Sequence, residues 1–210
     1  MIKLIIKDIE KKLSKTIRKN TLALGVDVAE AFTGLALLRT DNEYIYIENT
    51  EVIETSAKDD HFHRAEHFLS AIEKFKQTIA AYKEYKLLVI ERCFFGQNPE
   101  TLIHLAQFGI LAYVGLKKAF DDCYYWGATT ARSIIGFNQK KQEEKCTIKA
   151  EVYTRDTKNK VGKLLHKKGE KKKIDCKALV HDYLKTDFNV TFKTKDEADG
   201  FVLALAGLLK

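Results

Sequence analysis

Nowhere among its 210 residues does the chain hold a run of about 18 apolar residues, a Cys-x-x-Cys pair, an internal repeat or a low-complexity linker. Without such a run there is no candidate membrane-spanning helix. The four cysteines, Cys93, Cys123, Cys146 and Cys176, are widely separated, so neither a zinc motif nor a disulfide framework is expected to organise the fold. The first residues also lack the apolar core and small-residue cleavage site of a signal peptide. These absences lead us to expect a soluble protein with no membrane partner. We expect it in a reducing cytoplasm, nucleoid-associated, or in the host cytoplasm if a phage or virus encodes it. The length suits one well-cored domain with some decoration.

Charge is present in plenty and unevenly placed. The formal net charge is +7, yet residues 1–20 alone carry +5 and residues 139–173 carry +8, which leaves an acidic body of −6. An acidic core with two basic attachments suits a protein that holds a polyanion with its appendages and concentrates carboxylates elsewhere. We therefore divide the chain into a basic N-terminal arm, 1–20, and a domain, 21–210, with a basic insertion at about 139–173.

Hydrophobic patterning predicts a three-strand meander over 21–28, 34–40 and 43–54, a helix from about 61 to 85, and a short buried strand over 86–91. The order strand, helix, strand implies a parallel crossover. The only proline, Pro99, follows Asn98, a suitable N-cap, and opens a helix that is apolar on nearly every side. Such a helix needs two partners, and in a chain this short one of them is expected to be a second subunit. Beyond it come a strand at 123–126, a small helix near 129–135, the lysine-rich segment, and helices near 174–185 and 196–209.

Acidic residues stand where burial would ordinarily exclude them. Asp27 lies inside the apolar stretch "LALGVDVA", Glu91 ends "LLVIE", and Asp196 and Asp199 share one face at the start of the last helix. Neighbouring carboxylates repel and are costly to desolvate unless a cation holds them. Hard oxygen ligands from two strands and an i, i+3 helical pair suit two Mg²⁺ ions, with Mn²⁺ as a substitute, acting in phosphodiester hydrolysis.

These residues carry a resemblance to the RuvC family of Holliday junction resolvases, extending over about 21–210. "DVAEAFTG" (27–34) resembles the family's D-P-G-x-x-x-T-G turn, "IERCFF" its strand-end glutamate with an aromatic loop, and "DEADGFVLALA" its D-A-A-D-A-L-A-L-A helix. "NPETLIHLAQ" and "ARSIIGF" are similar to two further family segments. The resemblance implies an α/β, RNase H-like fold: a mixed five-stranded sheet, an antiparallel meander plus parallel strands, flanked by helices. It implies a homodimer that cuts branched DNA, the four-way junction, with Asp27, Glu91, Asp196 and Asp199 as the metal-binding tetrad. Phe94 would be the loop aromatic at the junction centre, and Phe95 beside it would contact DNA. Lys173 would correspond to a family lysine near the active site, and Lys140, Lys141, Lys171, Lys172 and Lys173 would contact DNA. Val28 and Ala29 depart from the family's Pro-Gly, and the basic segment around 139–170 is about thirty residues longer than usual.

Two other readings stand beside the nuclease. A non-catalytic nucleic-acid binding protein of the same fold would keep the basic segments without a complete tetrad. An actin-like ATPase module would need a second glycine-rich phosphate loop and a much longer chain. Finally, "HFHRAEH" groups His61, His63 and His67; His63 and His67 have i, i+4 spacing, but without a Cys-x-x-Cys partner we read the group as a polar helix face.

Overall fold

The structure is a computed structural model and describes residues 2–56, 58–93, 99–145 and 175–209. Its frame is one mixed sheet built from β1 (Ile2–Ile5), β2 (Thr21–Asp27), β3 (Phe32–Thr40), β4 (Tyr44–Glu54), β5 (Tyr85–Glu91) and β6 (Asp122–Trp126), in the order β1-β4-β3-β2-β5-β6. The first four strands in that order pair antiparallel, and β5 and β6 add on in parallel. This is the expected RNase H-like arrangement with one correction: the sheet has six strands, not five.

The sixth strand is β1, from the segment we expected to be a basic arm. Its alternation sends Leu4 into the core, and α1 (Ile6–Leu13) that follows buries Ile6 and Ile9. Ile17 then bridges to Leu209 at the far end of the chain. The lysines of this segment project outward from an apolar stripe, which is why charge alone misplaced it.

Helices cover both faces. On one side lie α2 (His61–Ile79) and α3 (Pro99–Leu116), where Phe68, Ile72, Phe75 and Phe108 pack on Leu22, Leu24, Leu35, Leu88 and Ile90. On the other lie α4 (Ala128–Ile134), α6 (Cys176–Phe188) and α7 (Lys195–Leu208), against Ala23, Ala36, Leu87 and Val89. Between α4 and α6 in sequence comes α5 (Gln139–Lys145). Helix α2 ends earlier than its pattern suggested; Tyr82 still reaches the core, from a turn in which its N–H donates to the Ile79 carbonyl at 3.1 Å. The predicted cap Asn98 lies outside the described residues.

Side chains alternate across a strand, so the face that receives Leu22, Leu24 and Val26 is not the face that receives Ala23, Gly25 and Asp27. The second face is lined by small residues, and α7 exploits this. A Cβ at Gly25 would lie 2.0 Å from the Gly200 carbonyl oxygen, and one at Gly34 would lie 2.0 Å from that of Asp196. Both obstacles are backbone, which cannot rotate away. We therefore expect Gly34→Ala to destabilise the protein by at least the ~1–3 kcal/mol typical of overpacking. By contrast, Gly115→Ala, on the α3 side, meets side chains, Ile72 at 2.9 Å and Leu69 at 3.9 Å, and should cost less. Thermal or urea unfolding of the two variants checks this; equal stabilities would remove the claim that α7 is seated by backbone contact.

Candidate active site

Period-two geometry decides which acids meet. Asp27 is the last residue of β2 and Glu91 the last of β5, and the two strands run parallel with Val26 opposite Ile90, so both carboxylates leave neighbouring strand ends on the α7 face. Helix α7 starts at this edge, capped by Thr194, whose hydroxyl accepts from the Glu197 N–H while the Glu197 carboxylate accepts from the Thr194 N–H. That cap aims the first turn, and with it Asp196 and Asp199, at Asp27.

Two cations that sequence reading did not single out complete the cluster. Lys177, in the first turn of α6, places its Nζ 2.9 Å from Asp27 Oδ2, 2.7 Å from Asp196 Oδ1 and 3.3 Å from Asp199 Oδ2. Arg132 of α4 donates from Nη2 to Asp199 Oδ1 at 2.9 Å, and from Nη1 to the Cys176 sulfur at 3.4 Å. Asp27 and Asp199 are buried, at 4% and 5% exposed, whereas Glu91 and Asp196 are half-buried. Among the described residues Asp199 Oδ2 has no hydrogen-bond partner despite the nearby ammonium.

The electrostatics show a cluster short of positive charge. Burial, then a hydrogen bond with Asp27, then the charges of Asp27 and Asp199 push the Glu91 carboxyl up to about 9, with Lys177 acting in the opposite sense. Asp199 is also raised, by burial first and by Asp27 second, against the pull of Arg132 and Lys177. Burial alone would favour neutral Lys177, but the charges of Asp27 and Asp199 and its hydrogen bonds to Asp196 and Asp27 outweigh it and hold the ammonium charged. Four carboxylates face two cations, and burial together with the neighbouring carboxylates favours the protonated form of Glu91. Oxygen donors this crowded, with an ammonium already lodged among three of them, fit a hard divalent cation.

The other expected site residues fall elsewhere. Lys140 and Lys141 are exposed on α5, and Lys141 lines a cleft of about 300 Å³ together with Lys12 and Lys15. Phe94, Phe95, Lys171, Lys172 and Lys173 lie outside the described residues. Of the histidines, His63 caps back onto Asp60, its Nδ1 2.6 Å from Oδ2, at an exposed position.

Residues 23–152 match the family described as crossover junction endodeoxyribonuclease RuvC. That span holds Asp27 and Glu91; Asp196 and Asp199 join them through the fold. Among solved structures, Thermus thermophilus RuvC in complex with Holliday junction substrate is similar with a TM-score of 0.57 and 13% identity, covering 88% of this chain and 91% of that one. A second Thermus thermophilus RuvC structure gives a TM-score of 0.57 and 13% identity, covering 90% and 98%. The yeast mitochondrial Holliday junction resolvase is more distant, with a TM-score of 0.46, 11% identity and coverage of 95% and 82%. No curated protein matches the sequence.

The raised Glu91 carboxyl has a measurable consequence in metal-free protein. A carboxyl whose folded pKa exceeds its unfolded value binds a proton that the unfolded chain gives up, so its contribution to stability is present at low pH and is lost as pH rises from about 4.5 to about 9. In chelator, wild type should lose stability across that window more steeply than Glu91→Gln, with a gap on the order of a few kcal/mol at the alkaline end. Parallel pH profiles for the two proteins would show that Glu91 ionises normally.

Proposed function

The chain belongs to the RuvC family of crossover junction endodeoxyribonucleases, and from that premise we propose that it is a divalent-cation-dependent endonuclease that cuts branched DNA, four-way junctions above all, by paired phosphodiester hydrolysis. The observation that carries this reading is the convergence of Asp27, Asp196 and Asp199 around a single ammonium, with Glu91 hydrogen-bonded to Asp27 beside them. A purely DNA-binding protein has no use for four crowded carboxylates, which repel phosphate. An actin-like ATPase would need the second phosphate loop that the sequence lacks.

Asp27, Glu91, Asp196 and Asp199 would hold Mg²⁺, or Mn²⁺ in its place, as two ions. Bound there, the ions supply charge stabilisation for the phosphodiester oxygens and a more acidic water. The protein's own groups set the stage for this. Arg132 fixes the rotamer of Asp199, and Lys177, on the first turn of α6 and partly exposed, is released from the carboxylates when cations take over and is placed to meet a phosphate. Lysines of α5 and of the segment beyond it hold the DNA backbone, which sets affinity without choosing sequence. The roles of Phe94, Phe95 and Lys171–Lys173 rest on the family resemblance alone.

A pair of symmetric cuts calls for two active sites, and we propose a homodimer through α3. Its inner face buries Phe108, Ala112 and Leu116, while Ile103, Ile110 and Val114 on the outer face are 56%, 60% and 65% exposed. An outer stripe this apolar fits a second copy better than water.

Two experiments test these readings. On a synthetic four-way junction, Asp27→Asn should lose cutting by at least roughly 10³-fold, since several kcal/mol of transition-state stabilisation depend on the cations, while binding stays within a few-fold. Cutting by wild type in excess chelator, or by the variant at near wild-type rate, would sink the metal-dependent reading. In sedimentation at micromolar concentration, wild type should have the mass of a dimer and Ile110→Glu that of a monomer. A wild-type monomer that cuts junctions fully, or an Ile110→Glu dimer, would rule out the α3 interface.

A further inference from the structure

A second cluster of ligating side chains stands apart from the carboxylates. Glu30 lies in the turn between β2 and β3, His61 opens α2, and His104 lies in the second turn of α3; one ligand atom from each falls within 4.8 Å of the others. We propose that Glu30, His61 and His104 form a transition-metal site of the zinc type, which binds its ion independently of the nuclease centre.

The geometry is close to what such an ion needs. Two ligands at ~2.1 Å from a tetrahedral ion lie about 3.4 Å apart. His104 Nδ1 is 3.2 Å from Glu30 Oε2, and His61 Nδ1 is 3.8 Å from Glu30 Oε1, so small side-chain adjustments bring all three onto one ion. The two imidazoles stack with centroids 4.5 Å apart, both Nδ1 atoms turned to the same carboxylate. His61 Nδ1 is shielded from solvent yet makes no hydrogen bond among the described residues, a cost that a metal bond would relieve.

The surroundings are those of a supported site. Arg64 Nη1 lies 2.5 Å from Glu30 Oε1 and its Nε donates to the Thr55 hydroxyl at 3.2 Å, which in turn bonds to the Glu30 carbonyl oxygen. Glu30 is thereby held at Oε1, which also faces His61, leaving Oε2 toward His104, in the way that ligating carboxylates are hydrogen-bonded by an outer shell. Phe108 packs edge-on against His61 at 5.7 Å and fixes the ring. Three protein ligands leave a fourth position for water.

Ligand chemistry separates the two centres. All-oxygen carboxylates select Mg²⁺ and Mn²⁺, whereas two imidazoles and one carboxylate favour Zn²⁺ and its neighbours in the series. An ion here would pin α2 and α3 to the β2–β3 turn through Glu30, three residues after Asp27, joining the start of α3 to the catalytic edge of the sheet.

Binding alone tests the site, without reference to cutting. With millimolar Mg²⁺ present to occupy the carboxylates, equilibrium dialysis against Zn²⁺ should load one ion per chain, and Co²⁺ should show the visible absorption of an imidazole-ligated ion. His61→Gln and His104→Gln, each confirmed as folded by circular dichroism, should lower Zn²⁺ affinity by more than the ~10–100-fold that loss of an outer-shell partner costs. Asp27→Asn should leave it within about two-fold. No retained Zn²⁺ in wild type, unchanged affinity in both histidine variants, or loss of the ion in Asp27→Asn would overturn the proposal.

Discussion

Helix α7 reaches the sheet backbone-to-backbone at Gly25 and Gly34, and the position of every carboxylate in the cluster follows from that approach. With an ordinary side chain at either glycine, the helix would ride higher and carry Asp196 and Asp199 away from Asp27. The same face offers Ala23 and Ala36 where the opposite face offers Leu22, Leu24, Leu35 and Leu37. A thin layer on one side of the sheet and a thick one on the other thus places two acids of a helix against two acids of strand ends. Backbone contact of this kind is rigid, as a site that must hold charges at fixed spacing requires.

What that approach creates is an electrostatic problem. Four carboxylates in a buried or half-buried setting are tolerable only with cations among them. Arg132 is a permanent one, half-buried and bonded to Asp199. Lys177 is a replaceable one, partly exposed at the end of a flexible stem, and the retained proton on Glu91 marks the charge still missing. A cluster balanced this way is the setting in which the proposed divalent ion would displace the ammonium.

Much of this was legible in the sequence because periodicity and burial speak together. An acid within an apolar stretch, as Asp27 is at the end of an all-buried strand, has few explanations, and D-x-x-D at the head of an apolar helix puts both carboxylates on one face. Lys177 was hidden by composition: it follows a run of three lysines and looks like one more solvated cation, although its place one residue inside a helix start is what aims it. Arg132 belongs to a short helix whose facing could not be known before β6 was seated beside β5. The strand β1 was masked by its lysines, and Glu30, His61 and His104 are separated by 31 and 43 residues, a spacing that matches no local motif.

The central claim is that the ammonium of Lys177 holds the place of a metal. Anomalous diffraction from crystals grown with Mn²⁺ tests it directly. A peak is expected about 2.1 Å from carboxylate oxygens of Asp27 and its neighbours, with Lys177 Nζ withdrawn from Asp27 and Asp199. Lys177 still seated on those carboxylates, with no Mn²⁺ among them at concentrations that support junction cutting, would contradict it and leave the cluster as a structural ion-pair network.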